Sequence, residues 1–358
     1  MSPTSATIDL DDVDGLLAAD RNGLLRAASM AGAQVRATAA ALDEGVLDSL
    51  RSDQPPRTVV WVAGRGTAER AGSILAAALG GSVAAPIVIA SDAPPWIGAL
   101  DVLVLAGDDP GDPTLVSAAA TAVRRGARVV VVAPTEGPLR DATAGRAVVL
   151  APRLSVPEDF GLAHYLGTGL ATLSVVDPAF RVDLAALADE LDAEALRNSA
   201  GRELFTNPAK NLADRMSGRE VVLAGDTAAT LALARHGAAV LLRVAHRAVA
   251  AVGLADALVA LHDGMGAEPG ADYEASLFHD EQIDGPRPTR PRTFVLATDA
   301  VRPVVLARVS GLDDVDVIAA EDVPDVKAPL ASGSPEQQLA MMAVRLEMTA
   351  TYLRLSRG

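Results

Sequence analysis

Short runs of apolar residues with no polar face restrict this chain to a small number of folds. They recur in the first half, and each is followed by a Gly or Pro loop or by a segment with helical spacing. The runs are TVVWVAG (58–64), APIVIA (85–90), DVLVLAG (101–107), ARVVVVAP (127–134) and RAVVLAP (146–152). A strand that is apolar on both faces needs cover on both sides, as in a parallel sheet between helices. The pattern therefore predicts a doubly wound α/β domain.

The second half of the chain repeats the strand, glycine loop and helix of the first half. REVVLAGDTAATLALARHGAAVLL (219–242) matches TVVWVAGRGTAERAGSILAAALGG (58–81), with Gly64 and Gly225 at equivalent strand ends. Later strands are predicted at TFVLAT (293–298), PVVLARV (303–309) and DVIAA (316–320). The expected fold class is therefore α/β, with two tandem doubly wound domains whose parallel sheets are flanked by helices.

The length of the chain agrees with two domains. At 358 residues it exceeds the usual single domain, and two domains of about 150 residues each are expected. We predict N-terminal helices and the first α/β domain over residues 1–160, a solvated helical linker over 161–200, and the second domain with a C-terminal helix over 201–358.

Composition argues against several classes of function. A formal net charge of −15, with two Trp, three Tyr and five Phe, provides neither the basic surface nor the stacking aromatics of a nucleic-acid-binding protein. The chain has no cysteine, which excludes disulfides and thiolate metal sites. No other cluster has metal-ligand spacing, so we expect no metal and no cofactor. The acidic N-terminus and the lack of an apolar run of roughly 18 residues predict no membrane partner and a cytoplasmic location.

The loop VAGRGTAERAG, residues 62–72, lies where the first strand is predicted to lead into a helix. Free backbone N–H groups and the positive end of a helix at such a turn suit an anion. A dinucleotide fingerprint is incomplete, because Glu69 stands where the third glycine belongs. Arg65 would bring positive charge to an anion, or it is an ordinary surface arginine. A plain strand-to-helix connection also explains the loop.

Five segments together carry a resemblance to a known family: VAGRGTAERAG, GDDPGDPT, LAPRLSVPEDFGLAHYLGTGL, NPAKNLADRMSGREVVLAG and LFHDEQIDG. Over most of its length the chain resembles the two-domain sugar isomerase (SIS) proteins of the bifunctional phosphoglucose/phosphomannose isomerase type. The resemblance implies a sugar or sugar-phosphate ligand in a cleft between the domains, and a homodimer. It implies a catalytic role for His279, and substrate-binding roles for Gly64, Arg65, Gly66, Thr67, Asp108, Asp109, Gly111, Thr114 and Arg153.

The chain departs from that family at two places. The family's phosphate loop resembles S-x-S-G-x-T, but GDDPGDPT carries Asp108, Asp109 and Asp112, whose charges repel a phosphate dianion. Its two prolines also remove N–H donors. The family's catalytic glutamate belongs in a stretch that corresponds to residues 243–258, which contain no glutamate. Glu274 and Glu281, on either side of His279, are the candidates to replace it, or they are acidic residues of an exposed loop.

These departures predict an isomerase-like protein that binds a carbohydrate derivative and whose catalysis is degraded or altered. Two alternatives stay open: an active glucose-6-phosphate/mannose-6-phosphate aldose-ketose isomerase, and a non-catalytic sugar-derivative sensor or partner-binding module. A glutamate of the loop around His279, or of another chain, within hydrogen-bond reach of a sugar-sized cleft that contains His279 would favour the active enzyme. The histidines at positions 164, 236 and 262 are predicted to have structural roles.

Overall fold

A computed structural model describes residues 7–134, 136–265, 291–320 and 333–357. These residues form two parallel sheets. The first sheet has the order β2-β1-β3-β4-β5 and contains β1 (Thr58–Ala63), β2 (Ile87–Ala90), β3 (Asp101–Ala106), β4 (Arg128–Val132) and β5 (Ala147–Val149). The second has the order β7-β6-β8-β9 and contains β6 (Val221–Gly225), β7 (Ala250–Gly253), β8 (Arg292–Leu296) and β9 (Val315–Ile318). The predicted fold class is confirmed.

The two sheets repeat one topology. In the first sheet β1 pairs in parallel with β2 and β3, and in the second β6 pairs in parallel with β7 and β8. Gly64 directly follows β1 and Gly225 ends β6, so the predicted equivalence of these glycines is confirmed. The strand order reverses at β1/β3 and at β6/β8. In open parallel sheets, ligands bind beyond the carboxyl ends of the strands at such a reversal.

Helices surround both sheets. In the first half these are α1 (Val13–Ala19), α2 (Leu24–Ala28), α3 (Ala31–Asp43), α4 (Gly66–Leu79), α5 (Pro113–Arg124) and α6 (Gly137–Thr143). Later helices are α7 (Leu162–Val176), α8 (Leu184–Arg197), α9 (Pro208–Met216), α10 (Ala228–Arg243), α11 (Leu254–His262), α12 (Arg302–Val309) and α13 (Pro335–Leu355). In the described part of the chain, no helix is both long and apolar enough to cross a membrane.

The largest apolar core extends through both halves of the chain. The helices α4 and α10, which follow the equivalent glycines, pack against each other, and α13 packs against α8, α9 and α10. α7 is buried along nearly its whole length and packs on α3 and α4. The solvated connector expected for residues 161–200 is therefore wrong for α7, because its apolar side chains bury more surface by packing inside than by bridging two domains in water.

One local expectation about the second sheet is wrong. PVVLARV, predicted as a strand, forms most of α12, with Pro303 in its first turn. A short apolar run does not distinguish a strand from a helix by periodicity, and proline at the start of a helix loses no hydrogen bond. The strand β7 lies inside the stretch 243–258, which corresponds to the segment that carries the catalytic glutamate in the resembled family.

Candidate functional site

A cavity lies at the carboxyl edge of the first sheet, beyond the ends of β3, β4 and β5. Its volume is about 460 Å³, which is in the range of small-molecule sites. Loops after β3, β4 and β5 form one side, and residues of α3 and α7 form the other. The lining side chains that can hydrogen-bond or carry charge include Gln34, Asp108, Arg153, Glu158, His164 and Tyr165.

The first glycine loop is filled by side chains of the protein itself. A Cβ atom at Gly64 would overlap the carboxylate of Asp112, and a Cβ atom at Gly66 would overlap the carboxylate of Glu158. Gly66 also has φ +68°, a conformation that costs a side-chain-bearing residue about 1 kcal/mol or more. The two glycines, predicted to approach a substrate, instead make room for these two carboxylates.

Glu158 is held at the N-terminus of α4 by groups from both halves of the chain. Arg243, at the end of α10, donates from Nη2 to Oε2 at 2.7 Å and from Nη1 to Oε1 at 3.2 Å. The Nε of Arg243 is paired with Asp159 at 2.6 Å. The hydroxyl of Thr67, which is fully buried, donates to the backbone oxygen of Glu158 at 3.0 Å. Thr67, a predicted substrate ligand, is thus already engaged.

The environment of Glu158 makes it a poor proton acceptor. Hydrogen bonding from Arg243 lowers the pKa of Glu158 and outweighs the opposite effect of burial. A carboxyl group with a lowered pKa is ionised at neutral pH but is a weak general base, because proton abstraction is favoured by a pKa near the working pH. Glu158 lines the cavity, yet its charge is better suited to accepting hydrogen bonds than to taking a proton from carbon.

The predicted phosphate loop is closed by its own carboxylates. Asp112 caps α5 by accepting from the backbone N–H of Thr114 at 2.8 Å, and Asp109 accepts from the N–H of Gly111 at 2.8 Å. Pro113 occupies the first turn of α5, where its missing N–H costs nothing. The N–H groups of Gly111 and Thr114 that a phosphate would need are therefore occupied. Capping by Asp112 gives a structural reason for the acidic loop.

Two predicted arginine ligands differ in position. Arg153 lines the cavity, but its guanidinium is paired with Glu44, with distances of 2.8 Å from Nη1 to Oε1 and 2.5 Å from Nη2 to Oε2. Arg65 is exposed at the start of α4 and is not part of the lining. Arg153 therefore brings little uncompensated positive charge to the cavity.

Four polar residues of the lining were not predicted to be ligand-binding residues: Gln34, Glu158, His164 and Tyr165. Burial lowers the pKa of His164 to about 4, so its imidazole is neutral at neutral pH. Burial, together with the charges of Asp108 and Glu158, raises the pKa of Tyr165, so the phenol keeps its proton. Both residues belong to the segment LAHYLGTGL, whose apolar pattern is typical of a core helix. The two adjacent polar aromatic residues in that pattern were the one available signal.

Other singled-out histidines do not line this cavity. His236 is fully buried, with Nε2 3.0 Å from Oε1 of Glu347, and burial lowers its pKa to about 3. His246 lies beside Arg354, with 3.1 Å between Nδ1 and Nη1. The candidate catalytic residues His279, Glu274 and Glu281 lie outside the described residues.

The segment NPAKNLADRMSGR, the most specific part of the family resemblance, has a structural role in this chain. Asn207 caps α9 by accepting from the N–H of Lys210 at 3.0 Å. The ammonium of Lys210 is buried and donates to the backbone oxygens of Ala200 at 2.8 Å and Arg202 at 2.7 Å. These contacts fasten the start of α9 to the preceding turn, and none of these residues lines the cavity.

The equivalent loop of the second sheet is also closed. Thr227 caps α10 in a reciprocal arrangement with Thr230, and the carboxylate of Asp226 is paired with Arg308. A Cβ atom at Gly225 would overlap the backbone of Thr230 and Leu231. Gly225 is therefore required for close packing of the strand on the helix, and Asp226 is neutralised by a neighbouring helix.

Solved structures of similar fold act on or bind sugar phosphates according to their names, although the chain matches no protein-family model and no curated protein. Tagatose-6-phosphate ketose/aldose isomerase from Escherichia coli is 15% identical, with a TM-score of 0.59 over 98% of this chain and 95% of that one. The C-terminal domain of glucosamine-fructose-6-phosphate aminotransferase from Francisella tularensis is 11% identical, with a TM-score of 0.59 over 96% of both chains. At identities this low the comparisons show a shared fold, which extends over nearly the full chain.

Proposed function

We propose that this protein binds a carbohydrate derivative in the cavity beyond the ends of β3, β4 and β5, and that the bound compound places no phosphate in the β3–α5 loop. The observation that carries the proposal is the filling of both loops by carboxylates of the chain: Glu158 at α4, and Asp109 and Asp112 at α5. The neighbours named for tagatose 6-phosphate and glucosamine-fructose 6-phosphate support a carbohydrate as the ligand class.

The negative charges of the β3–α5 loop disfavour the binding of a phosphate there. The N-terminus of a helix contributes about half a positive charge, whereas Asp108, Asp109 and Asp112 together carry three negative charges on this loop. Two like charges about 4 Å apart repel by about 4 kcal/mol at an effective dielectric constant near 20. A phosphate dianion would also have to displace carboxylates from N–H groups that they already occupy. A neutral sugar meets neither penalty, and the Tyr165 side chain lines the cavity, whereas the Nε2 of Gln34 already donates to the backbone oxygen of Phe160 at 2.9 Å.

The site is better suited to binding a carbohydrate than to isomerising it. Ketose–aldose isomerisation needs a base that removes a proton from carbon, and Glu158 has a lowered pKa. We therefore favour a binding protein whose isomerase chemistry is degraded. The active-isomerase alternative depends on His279, Glu274 and Glu281, and stays a prediction, as does the sensor or partner-binding role.

The domain division and the assembly are also proposals. Residues 161–200 separate the two sheets in the chain, which supports a first domain over 1–160 and a second over 201–358. A homodimer, implied by the family resemblance, is testable by light scattering on the full chain.

Binding should separate free sugars from sugar phosphates. We expect at least one free hexose or hexose derivative to raise the melting temperature and glucose 6-phosphate to raise it no more than inorganic phosphate does. A ligand at 100 times its Kd adds about 2.7 kcal/mol to the free energy of unfolding.

The matched variant is Asp108→Ser/Asp109→Ser/Asp112→Ser, in which serine still caps α5. Calorimetric titration at low ionic strength should then detect phosphate binding at least about tenfold tighter than in wild type. Tight phosphate binding by wild type at this loop would contradict the proposal.

Turnover of phosphorylated hexoses should be very slow or absent. Fructose 6-phosphate, glucose 6-phosphate and mannose 6-phosphate are expected to be interconverted at less than about a thousandth of a typical enzyme rate of 10 per second, because Glu158, the glutamate that lines the cavity in the described part of the chain, has a lowered pKa and is a weak base. The measurement is a coupled assay on purified full-length protein. Fast interconversion that is lost in His279→Ala would favour the active-isomerase alternative.

A further inference from the structure

We infer that the cavity selects a ligand with a protonated amino group, such as an amino sugar without phosphate, and that Asp108 is the carboxylate that recognises it. This inference rests on the proposed function and adds the chemical class of the ligand. Four observations carry it: an unpaired carboxylate, a second carboxylate in the same lining, a buried histidine nitrogen without a partner among the described residues, and a cavity of sugar size.

Asp108 is the uncompensated charge of the cavity lining. Arg153 is paired with Glu44, and Glu158 is paired with Arg243. Among the described residues, no ion pair or hydrogen bond involves the carboxylate of Asp108, which is exposed and lines the cavity. Asp108 therefore adds unpaired negative charge to the lining, and Arg243 is shared between Glu158 and Asp159. This excess of negative charge favours a cation over a neutral compound or an anion.

Asp108 and Glu158 act on the same part of the cavity. The charges of both carboxylates, after burial, contribute to the raised pKa of Tyr165, and the charge of Asp108 also raises the pKa of Arg243. Both carboxylates are thus electrostatically close to the tyrosine on α7. An ammonium group beside Tyr165 would interact favourably with two carboxylates and with a phenol oxygen that accepts hydrogen bonds.

His164 adds a polar group without adding a positive charge. Its ring lines the cavity, and its Nε2 is enclosed without a hydrogen-bond partner among the described residues. A buried nitrogen without a hydrogen bond costs free energy. A hydroxyl of the ligand that bonds to this nitrogen, directly or after a small shift of the ring, would recover that free energy. Because its pKa lies at about 4, the imidazole is neutral and does not repel an ammonium group.

The chemistry of the site suits an organic cation rather than a metal ion. In the part of the chain that the structure describes, no three His, Asp or Glu side chains are grouped so as to hold a metal ion, whereas calcium takes six to eight oxygen ligands. A volume of about 460 Å³ accommodates a hexose ring. A polyol with one ammonium group uses both the hydroxyl-binding and the anionic features of the lining.

The experiment compares sugars that differ at one substituent. Glucosamine, N-acetylglucosamine and glucose are titrated into wild type, Asp108→Asn and Asp109→Asn at neutral pH. Asp109 is the matched control, because it is the adjacent carboxylate but bonds to Gly111 and is absent from the lining. We expect glucosamine to bind wild type about tenfold more tightly than the two uncharged sugars. That preference should fall to less than about threefold in Asp108→Asn, persist in Asp109→Asn, and weaken with salt.

Each outcome decides between the two proposals. Equal binding of glucosamine and glucose by wild type overturns the amine inference and leaves the proposed function in place. A preference that survives Asp108→Asn, or that is lost equally in Asp109→Asn, overturns the role of Asp108. If none of the three sugars binds at millimolar concentration, both the amine inference and the sugar-binding function are contradicted.

Discussion

Replacing Arg345 with leucine is expected to lower the free energy of unfolding by about 3–5 kcal/mol. Arg345 lies on α13, is 1% exposed, and donates from Nε to Oε1 of Glu194 on α8 at 2.8 Å. Its Nη atoms donate to the backbone oxygens of Ala319 at 2.8 Å and Ala320 at 3.0 Å, just after β9. The substitution leaves a buried carboxylate and two buried carbonyl groups with fewer partners, in the region where α8, α13 and the second sheet meet.

The size of the effect comes from burial. Burial alone would raise the pKa of Glu194, but the charges of Arg345 and Arg197 outweigh it and the pKa is lowered. Removing Arg345 should therefore raise the pKa of Glu194, so that part of the lost stability returns at acidic pH, where the carboxyl group is protonated. The linkage has this sign because a raised folded-state pKa favours folding below that pKa.

Urea unfolding measured at several pH values tests this prediction. Arg36→Ala is the control, since Arg36 is paired with Asp189 and Asp192 at the surface and exposed pairs contribute about 0–1 kcal/mol. The double variant Arg345→Met/Glu194→Gln should recover part of the stability, because it removes the buried carboxylate and keeps an amide oxygen for Asn198 and Arg197. A loss below about 1 kcal/mol in Arg345→Leu would contradict the importance of the pair.

Gly225→Ala is expected to destabilise the protein by about 3 kcal/mol. The added Cβ atom would overlap backbone atoms of Thr230 and Leu231 in the first turn of α10. Backbone atoms at the start of a helix cannot rotate away as a side chain can, so β6 and α10 would have to separate. Because α10 packs on both α4 and α13, that separation would disturb the contact between the two halves of the chain.

Thermal or urea unfolding of Gly225→Ala and Gly201→Ala makes the comparison. A Cβ atom at Gly201 would meet no heavy atom within 4 Å, so its substitution should change stability by no more than about 0.5 kcal/mol. Similar stability in the two variants would show that β6 and α10 are not in the close contact described above.

Much of the fold could be predicted because its cause is local. Runs such as VVVV in β4 are apolar on both faces, and this pattern requires a covered parallel sheet wherever the chain places it. The repeat at 58–81 and 219–242 predicts the shared topology, because segments with the same order of apolar strand, glycine loop and helix fold into the same strand–helix unit. Where the pattern was short and ambiguous, as in α12, the prediction was wrong because neighbouring strands and helices decide between two allowed conformations.

The site depended on contacts that local pattern does not encode. The sequence determined the two α/β repeats, the glycines at the ends of β1 and β6, and the acidic character of the β3–α5 loop. Only the tertiary structure decided that Glu158 fills the first glycine loop and that His164 enters a cavity. Arg243 pairs with Glu158 across 85 positions, and Arg345 pairs with Glu194 across 151. Two charged side chains can pair only after packing has brought their helices or loops together. Which residues pair therefore depends on their distance in space and not on their spacing in the chain.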